Sequence, residues 1–490
     1  MNVDDDLGHD QELLGAEVRR RAKSSVVLLS IRSIVLRLVQ IAGLLVLGRL
    51  LAPSDFGAVA FGMVFVAIVT ITAEAGLGAT LIRQPRQPER QDLATLLAFQ
   101  LYVSTLLTVT IASVAVWFGT TGAIVAVLIS SLPILALRSP AIILLERRLD
   151  YRPIVYAEVA DTIMYYGWAV TTAALGWGVW SLATAAIPRA LAGTVVLFAT
   201  VREARIFPRM SWTRIQRMLG FGVRLQAIDL ATTVREQGLN TGIAAISGLT
   251  LLGTWNYAHR IMQVPGTLFS VLWRVSFPAM SQLVNAREKM APLIERGVAL
   301  TAIATGLMLV PLAVTVPLLV VELLGEEWRD VGDVIPLGCL AMMISGPISV
   351  SVAGYLYAIG DARTPLRATI VHTAAFILVA LALLRPLGLV AVGLGWITAA
   401  VIDTVLLGRR AAANSGAALV RPLAIPALAA IVAGTLGWAL AGDTAVSAIL
   451  AGVLAELLFI GGVSVLAWPD VRDLAQIVRA GLGGVRPAGR

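Results

Sequence analysis

Cysteine, histidine and lysine are nearly absent: Cys339 is the one cysteine, three residues are histidine, and Lys23 and Lys289 are the lysines in a chain of 490 residues. A lone cysteine in an apolar run excludes an internal disulfide and a cysteine metal cluster. His259 and His372 lack metal-ligand spacing and are expected to serve as polar packing residues, so no metal or cofactor is expected. Charge is scarce too, at 14% against roughly a quarter in an ordinary soluble domain. Also missing is any long polar segment. A lipid-linked glycan polymerase or glycosyltransferase would need a sizeable extramembrane loop with clustered acids, His or a phosphate-binding Gly loop. The acidic stretch from Glu322 to Asp333 is too short to be one, so an enzyme is not expected.

What is present is apolar sequence. Hydrophobic residues make up 58% of the chain and recur in runs from Ser25 to Trp468 with short polar breaks. Runs of about twenty residues suit spanning helices. They fall near 29–50, 57–81, 93–118, 121–145, 155–175 and 177–200, then 219–247, 250–274, 293–320, 331–359, 364–384 and 387–408, with two more near 421–441 and 444–467. The fold class is therefore an all-α polytopic membrane protein with about fourteen transmembrane helices, two six-helix halves plus two C-terminal helices. The expected organisation is an N-terminal tail over 1–28, a first half over 29–200, a linker over 201–218, a second half over 219–410, a final hairpin over 421–467 and a tail over 468–490. Residues 1–23 are acidic before they turn basic and do not read as a cleavable signal peptide.

The net charge of +8 comes in clusters between apolar runs rather than along one surface, which argues against nucleic acid. Every second connection is basic: Arg19 to Lys23, Arg83 to Arg90, Arg147 to Arg152, Arg202 to Arg217, Arg287 to Arg296, Arg363 and Arg367, then Arg409 to Arg421. The alternate connections are short and nearly free of positive charge. By the positive-inside rule both termini are expected in the cytoplasm. Trp168, Trp177, Trp180, Trp273, Trp328, Trp438 and Trp468 fall near expected helix ends, where an interfacial belt is the default.

The stretches Leu51 to Ala60 and Ser247 to Ala258 each place an apolar residue and Gly at a turn before a small residue. An internal repeat between the halves would explain the match, and so would the recurrence of Gly turns in any helical bundle.

Four motifs carry a family resemblance. The run from Gly48 to Gln84, with its LAPSDFG turn and AEAGLGATLIRQ end, resembles the first helical hairpin of polysaccharide flippases of the lipopolysaccharide-exporter and O-antigen type. LLERRLDYRPI from Leu144 to Ile154, the hairpin from Gly248 to Leu283, and GYLYAIGDARTPLR from Gly354 to Arg367 are similar to others of that family. Those proteins belong to the multidrug, oligosaccharidyl-lipid and polysaccharide flippase superfamily. The resemblance implies two six-helix lobes around a central cavity, alternating access, and movement of an undecaprenyl-diphosphate-linked oligosaccharide across the bacterial inner membrane. The implied partners are that lipid-linked glycan, membrane lipids and H+ or Na+. A monomer is the default, and association with glycan polymerase machinery is compatible with it.

A spanning helix holds an ionisable residue only at a cost, so such residues mark candidate sites. A diphosphate headgroup needs fixed positive charge, and the planar fork of Arg binds phosphate oxygens bidentately. Arg37, Arg235 and Arg260 are the substrate-binding candidates, on the hairpins that the resemblance implies line the cavity. Arg32 and Arg224, nearer helix ends, are expected to snorkel to the interface. Glu74, Asp161 and Glu236 are candidates for coupling to H+ or Na+, or for neutralising buried Arg. Arg235 and Glu236 are adjacent and point about 100° apart on a helix, so pairing between them is not assumed. The rival functions are a cation-coupled multidrug exporter, a peptidoglycan lipid-precursor flippase and a non-transporting scaffold. A cavity for cations should be rich in carboxylates rather than Arg.

Overall fold

Hydrocarbon offers no water to the backbone, so a chain of this composition must satisfy its N–H and C=O groups within its own helices. The computed structural model describes residues 36–84, 86–283, 287–442, 444–473 and 476, and all their regular elements are helical. The N-terminal basic cluster and Arg32 lie outside the described residues, as do the side chains of Arg224 and Asp229.

Two compact units divide the chain, Met1–Thr241 and Gly242–Arg490. Unit 1 contains α1 (36–50), α2 (Pro53–Glu74), α3 (Leu77–Arg83), α4 (Arg90–Ala115), α5 (Gly119–Ser130), α6 (Leu132–Ala136), α7 (Ser139–Arg148), α8 (Arg152–Ala174), α9 (Val179–Thr184) and α10 (Ala186–Thr200). α11 (Trp212–Leu283) crosses the boundary and is broken at Gly248, whose φ of 83° only glycine adopts readily. Unit 2 continues with α12 (Arg287–Leu324), α13 (Arg329–Pro347), α14 (Ala353–Ala358), α15 (Arg363–Leu387), α16 (Val390–Ser415), α17 (Val420–Leu440) and α18 (Ala445–Leu466).

Local chemistry sets these ends. Pro53 opens α2, where its missing N–H costs nothing, and the Asp55 carboxylate accepts from the Ala52 N–H at 3.1 Å. Asp92 does the same for Glu89 at the start of α4, at 3.1 Å. At α18 the Thr444 hydroxyl accepts from the Ser447 N–H at 3.2 Å while the Ser447 hydroxyl accepts from the Thr444 N–H, a reciprocal cap.

Among the described residues the expected apolar runs are helical, with different subdivision. The run 57–81 is split because Ala75 and Gly76 are left-handed, at φ 45° and 69°, which ends α2 and starts α3. The run 121–145 is three helices, with Pro133 in the first turn of α6 and Pro140 in that of α7. Proline removes a donor and crowds the preceding turn, so an unbroken helix is lost there. Between α13 and α14 the chain widens into a π turn over Ile348–Val352, directly after Pro347.

Among the described residues nine helices are long and apolar enough to cross a membrane. One of these, Arg90–Ala136, spans 47 residues, more than twice the ~20 a crossing needs; it takes in α4, α5 and α6, with Gly119 at φ 65° at the start of α5. α8 and α11 occupy expected spans but fall outside the nine; α8 carries Glu158 and Asp161, and α11 carries Arg235 and Glu236. α18 shows what lies outside the protein. Ala448, Ala451, Ala455 and Phe459 are buried on one face, and Leu450, Leu457 and Val465 are exposed on the other. A surface helix in water would be polar there, so this face is built for lipid. Trp328, expected in the interfacial belt, is instead buried against Tyr257, ring centroids 4.5 Å apart, because its short helix folds back into unit 2.

The α4–α5 corner is closely packed. A Cβ on Gly122 would overlap the Ala115 carbonyl, which is backbone and cannot swing aside. Gly122→Ala is expected to destabilise unit 1 by about 2 kcal/mol, read as a lowered unfolding midpoint of the purified protein in detergent.

Candidate functional site

In unit 1 one arginine and one carboxylate are sealed from solvent together. Arg138, in the turn between α6 and α7, donates from Nη1 to Oδ2 of Asp161 at 2.6 Å and from Nη2 to Oδ1 at 2.9 Å. Its Nε donates to the Thr194 hydroxyl at 2.9 Å and Nη2 also reaches the Ala190 carbonyl at 2.6 Å. Asp161 on α8 takes a further bond from the Gly193 N–H at 2.9 Å. The two side chains are 9% and 10% exposed, so this charge pair stands in protein rather than water. Glycine at 193 is required: a Cβ there would overlap the Asp161 carboxylate. The cluster ties α8 and α10 to the α6–α7 turn. Both Asp161 oxygens are engaged by fixed donors, so its arrangement is that of a structural counter-ion for Arg138.

The sequence candidates sit differently. Arg37 on α1 is half-buried with no carboxylate within ion-pair reach among the described residues. Arg235 lies on α11 within unit 1 with its Nη2 3.7 Å from Oε1 of Glu236, so the adjacent pair does come together, at the length of a solvent-exposed ion pair rather than a hydrogen bond. Glu236 is exposed, as is Glu74 on α2. In unit 2, Arg260 on α11 is exposed with no carboxylate partner among the described residues. Arg37 and Arg235 thus belong to unit 1 and Arg260 to unit 2.

Unit 2 brings together two residues that sequence spacing keeps apart. His372 on α15 places Nδ1 2.8 Å from Oδ2 of Asp403 on α16, both mostly buried, so His372 is not the lone histidine its sequence surroundings suggest. His259 on α11 stacks with Trp255, centroids 5.4 Å apart, in keeping with a packing role. A cavity of about 800 Å³ opens between α12, α13 and α17, walled by residues such as Val314, Leu318 and Ile431, with Glu322, Glu326, Arg329 and Asp333 at one end. No group of three or more His, Cys, Asp or Glu that could hold a metal occurs among the described residues. The residue that sequence reading passes over is Arg138. Its signal is present, a charged residue inside an apolar run, and it is obscured by the prolines on either side of it.

Residues 46–333 match the family model described as polysaccharide biosynthesis protein. The chain belongs to that family. Among curated proteins it is similar to the succinoglycan biosynthesis transport protein ExoT of Rhizobium meliloti (strain 1021), 27% identical over 324 residues, which cover 64% of this chain and 65% of that protein. The chain thus spans just under two thirds of that relative's length. Among solved structures it resembles the lipid II flippase MurJ in an inward closed conformation, with a TM-score of 0.69 at 12% identity over 92% of this chain and 100% of that one. It also resembles an inward-facing multidrug resistance MATE family transporter of the MOP superfamily, with a TM-score of 0.57 at 16% identity over 80% and 99%. At these identities the likeness is one of fold. This family member is a multi-pass membrane protein, and the relatives named are transport or flippase proteins rather than enzymes.

Outside the spans, Asp361 in the α14–α15 connection accepts from Arg410 Nε at 2.9 Å, from the Thr364 hydroxyl at 2.8 Å and from the Thr364 N–H at 3.1 Å. The Arg410 guanidinium first, then Thr364, hold its carboxyl below the usual carboxylate range. A depressed folded-state pKa contributes stability that is fully present above the unfolded value of about 3.9 and is lost as pH falls through the folded one. Asp361→Asn is therefore expected to lower the unfolding midpoint at neutral pH, and the gap from wild type should close as pH falls through the depressed folded-state value. For the buried pair, Asp161→Ala is expected to cost about 3–5 kcal/mol by stranding Arg138, while the double variant Arg138→Met/Asp161→Leu recovers most of the loss; chemical unfolding of the two variants beside wild type checks this.

Proposed function

We propose that this protein is a flippase that moves an undecaprenyl-diphosphate-linked oligosaccharide across the bacterial cytoplasmic membrane by alternating access, for surface polysaccharide biosynthesis. The observation that carries the reading is the match of residues 46–333 to the polysaccharide biosynthesis family, on a chain whose fold resembles that of the lipid II flippase MurJ. The curated relative is named as a transport protein for succinoglycan, itself a polysaccharide.

In this reading Arg37, Arg235 and Arg260 recognise the diphosphate. Arg37 and Arg260 have guanidinium groups that no carboxylate within the described residues neutralises, which is the condition for binding an anion rather than stabilising the fold. Glu74 and Glu236 are the proposed carboxylates for coupling to H+ or Na+, while Asp161 holds Arg138 in place. Basic connections face the cytoplasm, both termini included, and the protein acts as a monomer that glycan polymerase machinery can approach.

The MATE-like fold favours one second reading, a multidrug exporter. The two differ in the sign of the ligand. Purified protein should bind an undecaprenyl-diphosphate glycan in preference to a lipophilic cation such as ethidium, and Arg37→Gln, Arg235→Gln and Arg260→Gln should each weaken the glycolipid about tenfold, the scale of one charge-assisted bond. Tighter binding of the cation, unchanged by the three substitutions, overturns the proposal.

A further inference from the structure

Unit 1 gathers three basic connections that lie far apart in sequence onto one surface. Arg147 at the end of α7 donates to the carbonyls of Leu81, Ile82 and Gln84, at 2.8, 3.0 and 2.8 Å, and so docks the second connection on the first. The third, running from Val201 into α11, is fastened to both. Arg148 pairs with Glu203, Arg214 pairs with Asp92 and Glu89, and the Arg209 N–H donates to the Ala94 carbonyl at 3.1 Å. Val201 and Ala204 are buried beneath it.

These contacts engage three of the local acids, while exposed Asp150 accepts from the Arg152 N–H. Glu89 serves Arg214 and Arg86, Asp92 serves Arg214, and Glu203 serves Arg148. Arg83, Arg90, Arg152, Arg202, Arg205 and Arg209 remain exposed with no carboxylate within ion-pair reach among the described residues. Interleaved with them are apolar side chains that fold packing leaves outside: Phe207 is 84% exposed, Trp212 63% and Met210 52%. They stand on a short non-helical segment and the first residue of α11. Surplus arginine beside unburied Phe, Trp and Met is the chemistry of an anionic membrane surface: guanidinium groups meet phosphate oxygens while the apolar side chains enter the headgroup layer.

We propose that the segment from Arg202 to Trp212, with Arg83 and Arg152 beside it, is a binding surface for anionic phospholipid headgroups that anchors unit 1 in its leaflet. A soluble anion would use the arginines alone and leave the exposed Phe207 and Trp212 without a role. Lipid uses both. The surface is separate from Arg37, Arg235 and Arg260, so the inference stands whatever the transported substrate.

The delipidated full chain in detergent would be given phosphatidylglycerol or phosphatidylcholine at equal concentration, with bound lipid counted by native mass spectrometry. Wild type is expected to retain phosphatidylglycerol over phosphatidylcholine, and Arg202→Gln/Arg205→Gln/Arg209→Gln to weaken that preference about fivefold for each arginine removed. Arg329→Gln, an exposed arginine of the Glu326–Trp328 connection, should leave it intact. Should the triple variant fail to purify, Arg83→Gln/Arg152→Gln reads the same quantity. Equal retention of the two lipids by wild type, an undiminished preference in the variants, or displacement of phosphatidylglycerol by inorganic pyrophosphate would each overturn the proposal.

Discussion

A polar group in hydrocarbon has no water to fall back on, and each part of this structure answers that constraint. The backbone answers with helices. Hydroxyls answer by bonding to the preceding turn, as Thr172 does to the Trp168 carbonyl at 2.8 Å and Thr398 to that of Leu394 at 2.8 Å. Charge answers by pairing, and the Arg138–Asp161 cluster is the fullest case, with two guanidinium–carboxylate bonds supplemented by Thr194, Ala190 and Gly193. Burying such a pair stabilises little against apolar packing of equal volume. What it supplies is a set of directional bonds that ties α8, α10 and the α6–α7 turn together.

Set against that network, the arginines that go unpaired carry information. Arg37 on α1 and Arg260 on α11 have no carboxylate within ion-pair reach among the described residues. The fold-committed arginines and the uncommitted ones cannot be told apart by residue type. Their partners in space separate them: Asp161 holds Arg138, whereas Arg37 and Arg260 meet no carboxylate among the described residues.

Much of the fold is legible in the order of apolar runs, because bilayer thickness sets one length for every crossing. The runs at 364–384, 421–441 and 444–467 correspond to α15, α17 and α18 within three residues, and the run at 387–408 to α16, which continues to Ser415. Legibility fails where the chain interrupts itself. Ala75 and Gly76 turn left-handed, and Pro133, Pro140 and Pro347 break or widen helices, none of which changes the hydropathy of the run. Pairings across helices are the least legible. Arg138 finds Asp161 at a separation of 23 residues, and His372 finds Asp403 on the next helix. Trp328 sits in a polar connection yet is buried, because its contact with Tyr257 lies far away in sequence.

The central claim is that these two units carry a diphosphate-linked glycan from one leaflet to the other. The direct measurement uses purified protein in liposomes with a fluorescent undecaprenyl-diphosphate oligosaccharide confined to the inner leaflet and a membrane-impermeant quencher added outside. Time-dependent quenching that requires the protein, under an imposed H+ or Na+ gradient, is the predicted result. Fluorescence that stays protected under every ion gradient, in vesicles where the protein is folded and binds the glycolipid, would contradict transport and leave a binding scaffold.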